Sequence, residues 1–156
     1  MVKVLGSACS KSTKLEGNVK KVLVLCTGNS CRSVMAEALI NHYLGATWQA
    51  YSAGTHPSHV HPRAIQVLQE LGIDTAYLKS KGLTEFLNMD DLDLVISVCD
   101  QAKKHCAIFP KAVNQVHISI ADPVLYTSAP EEEALASFRS CRDDIKTRIV
   151  DKLSVL

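Results

Sequence analysis

The sequence predicts an α/β domain in which four parallel strands form one sheet with helices on both faces. Three observations carry that prediction. Short β-branched and aliphatic runs recur at Lys21–Leu25, Trp48–Ala53, Leu92–Val98 and Gln115–Ile120. Stretches with apolar residues at helical spacing alternate with them. Cys26, Cys99 and Asp122 each follow one of the runs closely, and a parallel sheet gathers its chemistry beyond the carboxyl ends of its strands.

In chain order, residues 1–19 are rich in Lys, Ser and Gly and have no periodicity, so they read as an extension and 20–156 as the domain. Cys9 in that extension is incidental. After the first strand, Ser33–Leu44 carries a stripe of Met35, Ala38, Leu39 and Tyr43, and Gly45 stops the helix. The second strand leads into Gly54 and then into Thr55–Pro62, a loop holding His56, His59 and His61. Their spacing is not that of a structural zinc site and no cysteine pair accompanies them, so solvent-exposed histidines and no metal are expected.

Pro62 suits the first turn of a helix reaching Leu71, with Ile65, Leu68 and Leu71 inward and Gly72 at its end. Ile73–Lys81 is irregular, and a short helical segment is expected near Leu83–Leu87. The third strand runs to Cys99, and a helix-forming stretch follows it to Cys106. The fourth strand stops before Asp122-Pro123. A final helix from Pro130 to Leu153 opens with three glutamates, which suit the positive end of its dipole, and turns Leu135, Phe138, Ile145, Ile149 and Leu153 inward.

Composition narrows the function. A chain of 156 residues forms one domain with an ample core. With 17 basic against 16 acidic residues there is no bulk field for nucleic acid or a membrane surface. No apolar run approaches the ~20 residues of a membrane span. Six cysteines could suggest a secreted disulfide framework. Two of them, however, lie in one loop of catalytic character and no signal peptide precedes them, so reduced thiols and a cytoplasmic location are expected.

That loop is Cys26-Thr27-Gly28-Asn29-Ser30-Cys31-Arg32-Ser33, set between a strand and a helix start. A helix start offers unpaired N–H groups and a positive dipole end, so a loop wrapped around it holds a tetrahedral oxyanion. Gly28 eases the turn, and Arg32 adds a two-pronged donor. The same field favours thiolate over thiol at Cys26, which makes the loop an anion receptor with a nucleophile at its floor.

Cys26 to Ser33 resembles the phosphate-binding loop of the low-molecular-weight protein tyrosine phosphatases and of the arsenate reductases sharing their flavodoxin-like three-layer fold. Asp122-Pro123 resembles the Asp-Pro at which both families place their general acid, although alone it could simply make a turn. An aromatic residue typically follows in the phosphatases, where this chain has Val124. In a helix, Cys99 and Cys106 share a face about 10.5 Å apart along the axis. A disulfide tolerates a Cα separation of only about 4.4–6.8 Å, so joining the pair requires unwinding. As isolated cysteines the two could equally be small buried residues.

The segment around Cys99 and Cys106 is similar to that of thioredoxin-coupled arsenate reductases, as are Phe109-Pro110 and the stretch Glu131–Arg139 with Arg142–Ile145. This resemblance covers nearly all of 20–153. It implies reduction of arsenate to arsenite by a relay through Cys26, Cys99 and Cys106, reset by thioredoxin or a similar dithiol, with possible weak phosphatase activity. The alternative is a phosphatase working through a Cys26 phosphoenzyme. The resemblance also suggests that Ser33 hydrogen-bonds Cys26 and that Asn29 pins the loop. Cys31 reads evenly as a tuner of the nucleophile or as lining, and Cys141 as packing. Some relatives hold potassium with Asn, Glu, Ser and Asp side chains. Asn29, Glu37 and Ser52 match three of these and Lys81 stands in place of the Asp, so no cofactor is expected.

Overall fold

The computed structural model describes residues 19–99, 114–126 and 129–156. Four strands, β1 (Lys20–Cys26), β2 (Trp48–Gly54), β3 (Leu94–Ser97) and β4 (Asn114–His117), form one parallel sheet in the order β2-β1-β3-β4. β1 is central, with Val22 to Leu25 wholly buried, as a run apolar on every residue demands. Helices α1 (Arg32–Leu44), α2 (Pro62–Gln69) and α3 (Glu131–Ile145) contact one another. On the other side of β2, the Tyr51 ring lies 5.7 Å from that of Phe86, just after a 3-10 turn at Leu83–Glu85. This is the fold of a parallel sheet with helices that the sequence predicts. The expected helix after Cys99, with Cys106, lies outside the described residues.

The differences are local. α1 is enclosed on every side from Ser33 to Ile40, so its buried surface is wider than one stripe. Its last turn emerges into solvent, and Tyr43, expected inside, is 44% exposed with its ring 5.0 Å from the Lys146 ammonium. α2 ends at Gln69, before Leu71, and buries Ala64, Val67 and Leu68. Leu71 therefore falls in the exposed turn, where Gly72 takes a φ of 74°, and Ile73 fills the core instead.

β3 and β4 are shorter than predicted, although Ile118 N–H to Ser97 O (2.9 Å) and Ile120 N–H to Val98 O (2.8 Å) carry the pairing onward. The final helix buries all five residues expected of it. It is α-helical to Ile145 and again over Asp151–Leu153; between them Lys146–Val150 forms a π turn, whose wider winding turns both Ile149 and Val150 inward.

Candidate active site

The parallel register sets the site. Cys26 lies opposite Gly54 of β2 and Leu25 opposite Ser97 of β3, so the carboxyl ends of all three strands share one rim. Between Cys26 and Arg32 the chain turns back into α1, with Cys31 as its cap residue.

Hydrogen bonds to the loop's carbonyls hold it open. The N–H groups of Thr55, His56, Ser58 and His61 donate to the carbonyls of Cys26 (3.2 Å), Thr27 (2.8 Å), Gly28 (3.0 Å) and Ser30 (3.0 Å). Ser80 Oγ adds a second donor to Gly28 O at 3.0 Å. With these oxygens tied to neighbouring segments, the N–H groups are left for the centre. That of Asn29 points at Cys26 Sγ from 3.2 Å.

Asn29 has a φ of 47°, which presents its N–H to the sulfur, and it is fully buried. Its side chain donates from Nδ2 to Ser33 Oγ (2.8 Å) and accepts from the Lys81 backbone N–H (2.6 Å). Ser33 Oγ in turn lies 2.8 Å from Cys26 Sγ. The sulfur thus accepts the Asn29 N–H and has a hydroxyl within hydrogen-bond reach, surroundings in which an anionic sulfur would be held as an acceptor.

The other predicted residues gather around it. Cys99, 5% exposed, follows β3 and lies with its sulfur 3.2 Å from Thr27 Oγ1. Arg32 reaches across to the β4 side, with Nη1 donating to Ile120 O (3.1 Å) and Nη2 3.5 Å from Asp122 Oδ2. Asp122 Oδ1 accepts the Val124 N–H at 2.9 Å, so the Asp-Pro pair opens a 3-10 turn, Pro123–Tyr126. The Asp122 carboxyl is thus aimed by the turn and held beside Arg32. Cys106 is outside the described residues.

Cys31 is buried against Ser30, and burial pushes its thiol up to about 12; burial does the same for Cys141 in α3. Both are protonated at neutral pH and poor nucleophiles. Of the loop histidines, His56 and His59 are exposed as expected, whereas His61 is half-buried. His61 Nδ1 accepts the Arg63 N–H (3.1 Å) at the start of α2, and its ring lies 4.8 Å from that of Phe138. Burial and the Arg63 charge hold this imidazole below its ordinary value.

Cys26, Arg32, His59 and Asp122 line a cavity of about 310 Å³. A larger cleft of about 530 Å³ opens beyond Asp122 toward Cys141, Asp143 and Asp144. Cys141 lines that cleft with its thiol pushed up to about 12 by burial, whereas Cys26 lines the smaller cavity. Asn29, Glu37 and Ser52 do come together, but Lys81 Nζ lies 3.4 Å from Glu37 Oε1 and 2.9 Å from Lys79 O. An ammonium among those oxygens does not fit a potassium ion there.

Sequence reading passed over three contributors. Gly54 backs the loop so closely that a Cβ would stand 2.5 Å from Thr27 O. Ser58 and Ser80 hold Gly28 through backbone and hydroxyl bonds. A glycine ending the strand beside the nucleophile's strand was the one available signal.

The low molecular weight phosphotyrosine protein phosphatase family matches residues 21–154. An arsenate reductase of Halalkalibacterium halodurans is 39% identical over 132 residues, 85% of this chain and 94% of that protein. A solved structure of an arsenate reductase in the phosphate binding state superposes with a TM-score of 0.69 at 32% identity, covering 88% of this chain and 98% of the other. A low molecular weight protein tyrosine phosphatase from T. tengcongensis superposes with a TM-score of 0.67 at 26% identity, over 87% and 98%. With the loop, the sheet order and the match over 21–154 in agreement, the chain belongs to the low molecular weight phosphotyrosine protein phosphatase family.

Proposed function

We propose that this protein reduces arsenate to arsenite by passing oxidation from Cys26 to Cys99 and then to Cys106. The observation that carries the reading is the second sulfur: Cys99 Sγ touches Thr27, the residue next to the nucleophile, from the neighbouring parallel strand. A phosphatase has no need of a thiol there.

Arsenate, like phosphate, is a tetrahedral oxyanion that the loop N–H groups and Arg32 would hold. The Cys26 thiolate attacks arsenic, and an oxygen departs as water with a proton from Asp122, leaving a sulfur–arsenic bond. The Cys99 thiolate attacks the Cys26 sulfur. A disulfide forms, the sulfur–arsenic bond breaks, and its electron pair leaves with arsenic as arsenite. Cys106 then attacks Cys99, freeing Cys26 and moving the disulfide to Cys99–Cys106. A dithiol reductant of the thioredoxin kind restores both thiols and is itself oxidised to a disulfide. Such a cycle belongs in a reducing compartment, the cytoplasm.

Arsenate-dependent NADPH consumption, with thioredoxin and its reductase, tests the scheme alongside Cys→Ser variants at 26, 99 and 106. The wild type turns over continuously, Cys26→Ser is inert, and Cys106→Ser stops after about one round with a Cys26–Cys99 disulfide. No arsenate turnover by the wild type, with aryl phosphate hydrolysis intact in Cys99→Ser and Cys106→Ser, would leave the phosphatase reading in its place.

A further inference from the structure

We propose that the Lys81 side chain is an internal cation that positions the nucleophile loop, so that the oxyanion site is set without a monovalent metal ion. The proposal rests on Cys26 being the nucleophile and not on arsenate being its substrate.

Four separate elements bring their polar groups to one buried point. Glu37 comes from the middle of α1, Ser52 from β2, Asn29 from the loop and Lys81 from the segment before the 3-10 turn. Lys81 is 9% exposed and Glu37 6%, while Ser52 and Asn29 are fully buried. The Ser52 hydroxyl donates to Glu37 Oε1, and Lys81 Nζ is shared between that oxygen and Lys79 O. Every acceptor around the ammonium is an oxygen, the donor set a hard monovalent cation would require.

A buried ion pair costs desolvation on both sides and is weak evidence for stability, so its value must be sought in the arrangement it enforces. Here that arrangement is the path of residues 79–82. The Lys81 carbonyl accepts the Gly54 N–H at 2.8 Å, beside the parallel bridge between Gly54 and Gly82. The Lys81 N–H reaches Asn29 Oδ1, and from Asn29 the bonds pass through Ser33 to the Cys26 sulfur. Asn29 stands in the left-handed region, which a non-glycine residue keeps only when its surroundings over-determine it. The ammonium anchors the strand whose N–H supplies that determination. Burial holds the Glu37 carboxyl above its ordinary range against the opposing pull of Ser52 and Lys81, in keeping with a carboxylate dependent on its partners.

The test compares cations. Cys26 alkylation by iodoacetamide near neutral pH, and its protection by inorganic phosphate, are measured in potassium, ammonium and tetramethylammonium chlorides at equal ionic strength. Wild-type rates and phosphate affinity are the same in all three salts. In Lys81→Ala both fall about tenfold, the size of one lost hydrogen bond to a charged group. Ammonium or potassium, small enough to enter the space left, recovers at least threefold, and tetramethylammonium recovers nothing. Lys81→Met keeps the stem without the charge, shows the same loss, and is not rescued.

Wild-type chemistry that rises more than twofold with potassium overturns the proposal, as does a folded Lys81→Ala or Lys81→Met with wild-type alkylation and protection. The wild-type comparison and Lys81→Met keep the test decisive if Lys81→Ala does not fold. Because these readouts need no arsenate, a protein that obeys them yet fails to reduce arsenate would refute the proposed function and leave this positioning role standing.

Discussion

Gly54→Ala adds one methyl group at the end of β2 and should cripple the site while leaving the fold standing. The new Cβ would meet Thr27 O at 2.5 Å, Asn29 N at 2.7 Å and Asn29 Cβ at 3.0 Å. Ordinary contact begins at 3.4 Å, so the closest approach is short by 0.9 Å (3.4 less 2.5), and the first two obstacles are backbone. Either the loop retreats, carrying the Asn29 N–H off the sulfur, or the end of β2 moves and gives up the Gly54 bond to Lys81 O. Misplacing a reacting group by about 1 Å costs on the order of 100-fold. That is about 2.7 kcal/mol of transition-state stabilisation, so kcat/KM for arsenate and phosphate protection of Cys26 should both fall by that order. Overpacking should cost about 1–3 kcal/mol in unfolding. Gly82→Ala, across the isolated bridge from Gly54, meets only the Pro57 ring, Cγ at 3.5 Å and Cδ at 3.9 Å, and should stay within about 0.5 kcal/mol with activity near wild type. A Gly54→Ala protein with kcat/KM and phosphate protection within threefold of wild type would refute the reasoning that backbone contact sets the loop.

The remaining expectations concern single groups. Ser33→Ala removes the hydroxyl 2.8 Å from both Cys26 Sγ and Asn29 Nδ2 and should slow Cys26 alkylation near neutral pH about tenfold, with little change in thermal midpoint. In Cys26→Ser, Cys31 should remain unmodified by iodoacetamide at pH 8, because its thiol is pushed up to about 12; mass spectrometry of the treated protein checks this. The Arg139 and then the Arg142 guanidinium hold the Glu70 carboxyl below its ordinary range. Its contribution is therefore present above the unfolded value of about 4.3 and lost as pH falls through the lower folded value. Thermal midpoints measured down that range should decline more steeply for wild type than for Glu70→Gln. Glu37 runs the other way: burial raises its folded value, so its contribution is present below about 4.3 and lost as pH rises through that higher value.

The fold and the nucleophile loop were legible because their signals are contiguous. A buried strand, five residues with Gly and Asn among them, and an Arg opening a helix all lie within 20–44. Cys99 and Asp122 could be placed because a parallel sheet sends every strand end to one rim. The supports were less legible because they act through backbone atoms. The four N–H groups of 55–61 that hold the loop's carbonyls carry no residue-type signature, and the histidines there drew attention for their rings. Tyr43 and Leu71 were misplaced because periodicity cannot tell where a helix leaves its neighbours. The π turn at Lys146–Val150 left the apolar pattern intact and so gave no sign of itself.

What separates the two chemistries of this fold is the neighbour of the loop rather than the loop. An oxyanion nest with a cysteine at its floor would commit only to attack on a tetrahedral centre, since in the proposed scheme Arg32, the Asn29 N–H and Asp122 would serve phosphorus and arsenic alike. The products differ in what they can give up: a phosphorylated sulfur is released by water, whereas a sulfur–arsenic adduct can surrender an electron pair if a second thiolate reaches the first. A segment that follows a strand paired with β1 can bring such a thiolate close, and in the β2-β1-β3-β4 order β2 and β3 are the strands paired with it. At the end of β2 the residue opposite Cys26 is Gly54, where a Cβ would stand 2.5 Å from Thr27 O. Cys99 after β3 brings a sulfur to 3.2 Å from Thr27 Oγ1, and in the proposed relay it would serve as that second thiolate with no change to the loop.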